Sequence, residues 1–121
     1  MNSRELMERI VTALDSKKAD NIRVIDITEV ADIADYLVIC AGRSTTQAKA
    51  LADEVDFQLK ERQGEIKNHT EGYGSASWIL IDYRDVVVHI FCGESREFYN
   101  LEHLWADGKR VPLDEILPKT D

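Results

Sequence analysis

Cysteine is scarce in this chain. It has two, Cys40 and Cys92, and they form no CxxC pair. Both fall inside apparent strands. There buried free thiols in a reducing compartment are expected, a bridge being open to them only if the two strands are neighbours. Histidine is as sparse: His69, His89 and His103 stand far apart, with no HxxxH spacing to anchor a chelate. No apolar run approaches the roughly 18 residues of a membrane span. Basic residues are outnumbered, 15 Lys and Arg against 23 Asp and Glu, for a net charge of −8. The largest basic clusters are the pairs Lys17-Lys18 and Lys109-Arg110. Such a surface repels phosphate backbones and disfavours sequence-specific nucleic-acid binding. A basic protein partner suits it better, although acidity also serves solubility alone. Met1-Asn2-Ser3-Arg4-Glu5 reads as no signal peptide, because charge interrupts it before an apolar run builds up. No internal repeat, low-complexity segment or linker is visible.

What is present is organised around Trp78 to Cys92. Two apolar runs rich in β-branched residues, WILIDY and VVVHIFC, flank Arg84-Asp85, which is the pattern of a hairpin. A two-residue loop there pairs Tyr83 with Val86, Ile81 with Val88, Ile79 with Ile90 and Trp78 with Phe91, though the loop lacks the usual glycine. Alternation then gives two faces. Ile79, Ile81, Tyr83, Val86, Val88, Ile90 and Cys92 form a nearly apolar face that helices must cover. Trp78, Leu80, Asp82, Val87, His89 and Phe91 form the other. Its mixture of aromatics with a carboxylate and an imidazole fits a docking surface, or a wet sheet face whose polar groups are satisfied.

The remaining chain, 121 residues in all, reads as a single domain large enough for a real core. A first helix is expected over Ser3 to Ser16, with Asn2 or Ser3 as cap and Asn2 with Glu5 at capping-box spacing. A strand is expected at Ile22 to Thr28, with a slip in alternation near Val24 that a bulge would explain. Tyr36 to Ala41 is continuously apolar, as in a central strand buried on both faces. Ser44 with Gln47 opens a second helix, whose apolar stripe is Ala48, Leu51, Ala52, Val55 and Leu59 and which ends at Gly64. Strand, helix and return make part of the sheet parallel. Glu65 to Asn68 is a short edge-strand candidate, and His69 to Ser77 a flexible loop. A third helix is expected from a Ser95 cap to Asp107-Gly108. The domain is set at residues 1–113, with 114–121, containing Pro118, as a flexible tail.

The hairpin, the following REFYNLEHLW, the upstream ADYLVICAGRSTTQAKALA and the HTEG loop together resemble the ribosomal silencing factors, the Iojap family, over about residues 3 to 113. The resemblance implies a mixed, roughly five-stranded α+β sheet with helices mainly on one face and a nucleotidyltransferase-like topology. It also implies a non-enzymatic, cytoplasmic protein without metal or cofactor. Such a protein binds the large ribosomal subunit at its universal ribosomal protein fourteen, hinders subunit joining and represses translation. By matching motif positions, the implied contact residues are Trp78, Leu80, Asp82, His89 and Phe91, with Tyr99, Glu102 and Trp105 beside them.

The alternative is a nucleotidyltransferase-like, metal-dependent enzyme. Gly42-Arg43-Ser44 weakly matches a phosphate-holding turn. The carboxylates needed for two metals are not in register, since Asp82 and Asp85 point to opposite faces and Asp26 lies on another strand. A cysteine nucleophile has no base on its own face, because His89 alternates away from Cys92. An exposed aromatic sheet face is also a candidate for self-association as a homodimer.

Overall fold

The computed structural model describes residues 2–62, 64, 67, 69–93, 106 and 108–117. Its elements are α1 (Ser3–Ser16), β1 (Asp20–Asp26), β2 (Tyr36–Gly42), α2 (Thr45–Phe57), β3 (His69–Glu71), β4 (Trp78–Asp82), β5 (Val86–Cys92) and β6 (Lys109–Val111). Both helices begin where their caps dictate. The Asn2 side chain accepts the Glu5 amide and the Ser44 hydroxyl accepts the Gln47 amide. Gln47 answers through its own oxygen, which accepts the Arg43 amide at 2.7 Å. A π-helical turn over Gln58–Arg62 follows α2, and Leu59 within it is buried.

The sheet is mixed, in the order β3-β4-β5-β2-β1-β6. The β2–β5 pair is parallel, as the intervening helix requires, and the other pairs are antiparallel. Both helices pack on one face. Leu6, Met7, Ile10, Val11 and Leu14 of α1 join Ala48, Leu51, Ala52 and Val55 of α2 over Ile22, Val24, Val38, Cys40, Ile79, Ile81, Val86, Val88 and Ile90. That is the face the hairpin alternation assigned to helices. Cys40 and Cys92 are free, Cys40 buried and Cys92 half-buried. Burial pushes the Cys40 thiol pKa well up, which disfavours the thiolate that a nucleophile needs.

Among the described residues six strands stand where about five were expected, and the differences are local. His69–Glu71, expected as loop, is an edge strand because β4 offers it an open row of backbone partners. Lys109–Val111 pairs with β1 in the same way. The alternation of β1 does not slip at Val24. Ile22 and Val24 face the helices and Ile25 and Ile27 the opposite side, so the strand is simply apolar on both faces. Its register shift lies earlier, between Asp20 and Arg23, where Asn21 takes a φ of 52°. The start of the expected tail is not free either. Leu113–Glu115 forms a 3-10 turn, and Ile116 and Leu117 pack against the core. Most of the expected 65–68 strand, nearly all of the third helix and residues 118–121 lie outside the described residues. Among the described residues no helix is long and apolar enough to cross a membrane.

Candidate partner-binding face

The face of the sheet turned away from α1 and α2 divides in two. At the β1–β2 end the loop after β1 folds over it, so that Ala34 and Ala31 pack with Ile25, Ile27, Leu37, Ile39 and Phe91 in a second small core. The loop is pinned by its backbone: Ile27 N–H donates to the Asp35 carbonyl, and the Asp35 and Tyr36 amides donate to the Asp85 carbonyl. At the β3–β4–β5 end no such loop folds over the face among the described residues. A groove of about 430 Å³ runs there, walled by Ile27, Ile33, Leu37, Trp78, Leu80 and Val87, with His69, Glu71, Asp82 and His89 also lining it. Ile33, 65 % exposed, stands at its edge. A second depression of about 290 Å³ lies against Glu71, Gly72, Trp78 and Leu80, so Trp78 and Leu80 border two hollows.

The register puts these side chains together as the sequence implied: Trp78 opposite Phe91, Leu80 opposite His89, Asp82 opposite Val87. Their exposure differs sharply. Trp78 is 39 % exposed, His89 6 % and Phe91 not at all. Phe91 and His89, expected as contact residues, are buried: Phe91 packs in the cluster with Ala31 and Ala34 of the folded loop, and His89 lies against the Trp78 ring while still lining the groove. Trp78 stacks on Phe91 with centroids 5.1 Å apart, and its indole N–H donates to His89 Nδ1 at 2.9 Å. An indole nitrogen can only donate, so Nδ1 of His89 is the bare nitrogen and the ring is neutral or it could not accept. Burial agrees, pushing the His89 pKa down to about 4.

The polar rim is acidic. His69 lies between two carboxylates, its Nε2 3.1 Å from Glu71 and its Nδ1 3.5 Å from Asp82. Asp82 also accepts the Arg84 amide at 2.7 Å, which fixes the hairpin turn. Arg84 takes a φ of 74° there, so the loop's left-handed residue is its first rather than its second. Gly72, in the loop from β3 to β4, has a φ of 78°, and a Cβ on it would collide with the Trp78 carbonyl oxygen. Sequence reasoning did not single out Ile33, His69, Glu71 or Gly72. The HTEG stretch carried three of them, but nothing in a four-residue polar segment shows that it pairs beside Trp78. Tyr99, Glu102 and Trp105 lie outside the described residues.

The carboxylates of the enzymatic alternative are far apart. Asp26 in β1 and Asp82 in β4 are separated by three inter-strand steps, roughly 14 Å at about 4.8 Å each, where a two-metal centre needs its ligands around ions about 4 Å apart. Asp26 is occupied locally. Its carboxylate accepts the Thr28 hydroxyl at 2.7 Å and the Thr28 amide at 3.0 Å, and those bonds hold its pKa below the usual carboxylate range. Among the described residues no three His, Cys, Asp or Glu side chains gather to hold a metal ion.

Comparison with known proteins places this geometry in context. The family model described as ribosomal silencing factor during starvation matches residues 1–121. A ribosomal silencing factor of Halalkalibacterium halodurans is 41 % identical over 117 residues, covering 97 % of this chain and 99 % of that protein. The one of Bacillus subtilis is 39 % identical over 114 residues, covering 94 % and 96 %. A crystal structure of a Chromobacterium violaceum protein superposes with a TM-score of 0.83 at 32 % identity, covering 93 % of this chain and 91 % of that one.

Proposed function

The chain belongs to the family of ribosomal silencing factors, and from that premise we propose that its open sheet face binds the large ribosomal subunit through the basic universal ribosomal protein fourteen. Bound there it keeps the small subunit from joining and represses translation. It acts in the cytoplasm as a binding protein without catalytic turnover or cofactor. The observation that carries the reading is the half-exposed Trp78, standing on buried Phe91 and His89 beside an apolar groove with Glu71 and Asp82 at its side. Aromatic anchors set in a polar rim are the composition of an interface core. A rim of carboxylates favours a basic partner. Trp78, Leu80 and Asp82 make the contact, His89 and Phe91 support it, and Tyr99, Glu102 and Trp105 flank it. The free protein pairs through the same aromatic face as a homodimer, which the subunit displaces.

Co-sedimentation with purified large subunits, followed by a subunit-joining assay, tests this. The expected result is binding and loss of joined ribosomes, both abolished by Trp78→Ala. Equal binding to naked ribosomal RNA fragments, or magnesium-dependent nucleotide transfer lost in Asp82→Asn, would overturn it.

A further inference from the structure

Trp78 is unusual for an exposed indole in that its N–H is turned inward. A side chain 39 % exposed satisfies an N–H with water at little cost. Here the N–H instead meets the Nδ1 of a histidine that is itself buried. Three rings are packed in series: Trp78 on Phe91 at 5.1 Å between centroids and 28° between planes, His89 on Phe91 at 6.4 Å and 13°, Trp78 to His89 at 5.8 Å and 40°. His89 lies diagonal to Trp78 across the β4–β5 pair, two residues from Trp78's direct partner Phe91, since His89 itself pairs with Leu80. Stacking alone leaves the indole free to slide or flip over Phe91, because apolar contact has no direction. A hydrogen bond has one. Phe91 thus sets the plane of the indole and His89 sets which edge points in and which points out.

We infer that His89 is a positioning residue: its bare Nδ1 locks the orientation of Trp78 so that the outward edge of the indole is held ready for the partner. The inference rests on the proposed role of this face. Burying an imidazole in its neutral form is costly unless its nitrogens are used, and a leucine or phenylalanine fills the same space without that cost. The directional bond is what the histidine adds. A pre-set anchor avoids the ordering cost that a loose aromatic side chain meets on binding.

The full chain, labelled with nitrogen-15, provides the test. The Trp78 indole signal is distinguished from that of Trp105 with Trp105→Phe. In the wild type a scalar coupling across the hydrogen bond between Trp78 Nε1 and His89 Nδ1 is expected, along with slow exchange of the indole proton. Its absence overturns the inference without recourse to any variant that fails to fold. His89→Leu is expected to speed that exchange and weaken binding to purified large subunits by roughly 3- to 10-fold. His89→Asn, whose side-chain oxygen replaces Nδ1 as acceptor, is expected to restore both. If His89→Leu binds like the wild type while Trp78→Ala does not, the positioning role is wrong and the face assignment stands. If Trp78→Ala itself binds like the wild type, the face assignment fails first.

Discussion

Trp78 and Phe91 lie directly opposite one another on β4 and β5 and stack with their centroids 5.1 Å apart, yet one is 39 % exposed and the other fully buried. One pair of rings thus spans the boundary between the core and the exposed side of the sheet. Truncating the outer ring should affect binding more than folding. Trp78→Ala is expected to weaken large-subunit binding by about 2 to 4 kcal/mol, roughly 30-fold or more, with a small change in melting temperature. Binding and melting measured on the same sample decide it, and a large fall in melting temperature with the folded fraction still binding like the parent would assign Trp78 to the core.

Ile81 sits beneath the helices and is 1 % exposed. Ile81→Ala should do the reverse, lowering stability by about 2 to 5 kcal/mol while the folded fraction binds normally. Denaturant unfolding with a binding titration corrected for folded protein checks this.

His89 makes stability depend on pH. Its folded pKa of about 4 lies below the ordinary 6.5, so the unfolded chain takes up the proton first as pH falls. The stabilisation is complete above about pH 6.5 and is lost progressively down to about pH 4, roughly 3 kcal/mol in all. Other ionisable side chains, His69, Glu71 and Asp82, line the same groove. The informative quantity is therefore the part of the acid slope that disappears in His89→Leu. An unchanged slope in that variant refutes the assignment.

Tyr83 is 4 % exposed and its hydroxyl has no hydrogen-bond partner among the described residues. Burial also pushes its pKa up. Removing a buried, unpaired hydroxyl removes a desolvation penalty, so Tyr83→Phe should raise stability by about 1 kcal/mol. A loss of stability would reveal a partner for that oxygen.

Gly72 is required twice, by its positive φ and by the closeness of the Trp78 carbonyl. Gly72→Ala should cost more than about 1 kcal/mol and displace the start of β4, so melting temperature and subunit binding fall together. An alanine variant that binds and melts like the parent contradicts this geometry.

With the isolated basic ribosomal protein as partner, the association rate should fall as salt rises, while dissociation changes little. Stopped-flow association at several ionic strengths measures this, and a salt-independent rate would remove the charge of Glu71 and Asp82 from the recognition.

The hairpin was legible residue by residue because one face is apolar and the loop has two residues, which together leave a single register. The helix starts were legible because Asn2 and Ser44 are capping residues followed by an apolar stripe. The edge strands β3 and β6 were not. Each is three residues long and mostly polar, too short to carry an alternation, and what recruits it is the unpaired edge of a neighbour. The split between Trp78 as surface and Phe91 with His89 as support was hidden for a related reason. Alternation assigns a face, but the loop that covers part of that face is placed by its packing with Phe91 and by the Asp35 and Tyr36 amides on the Asp85 carbonyl, both remote from it in sequence.

The parallel contact between β2 and β5 has a consequence for how the chain reaches its structure. Those two strands meet at the centre of the sheet with the whole of α2, β3 and β4 lying between them in sequence. The hairpin of β4 and β5 can zip locally, but the centre closes only after a long loop has been ordered without return. A substitution at Val38 or Val88, which face each other across that seam, is therefore expected to act on the rate of folding. One at an edge such as Thr70 is expected to act on the rate of unfolding. The centre of the sheet, which joins β4 and β5 on one side to β1 on the other, is thus closed by a non-local pairing.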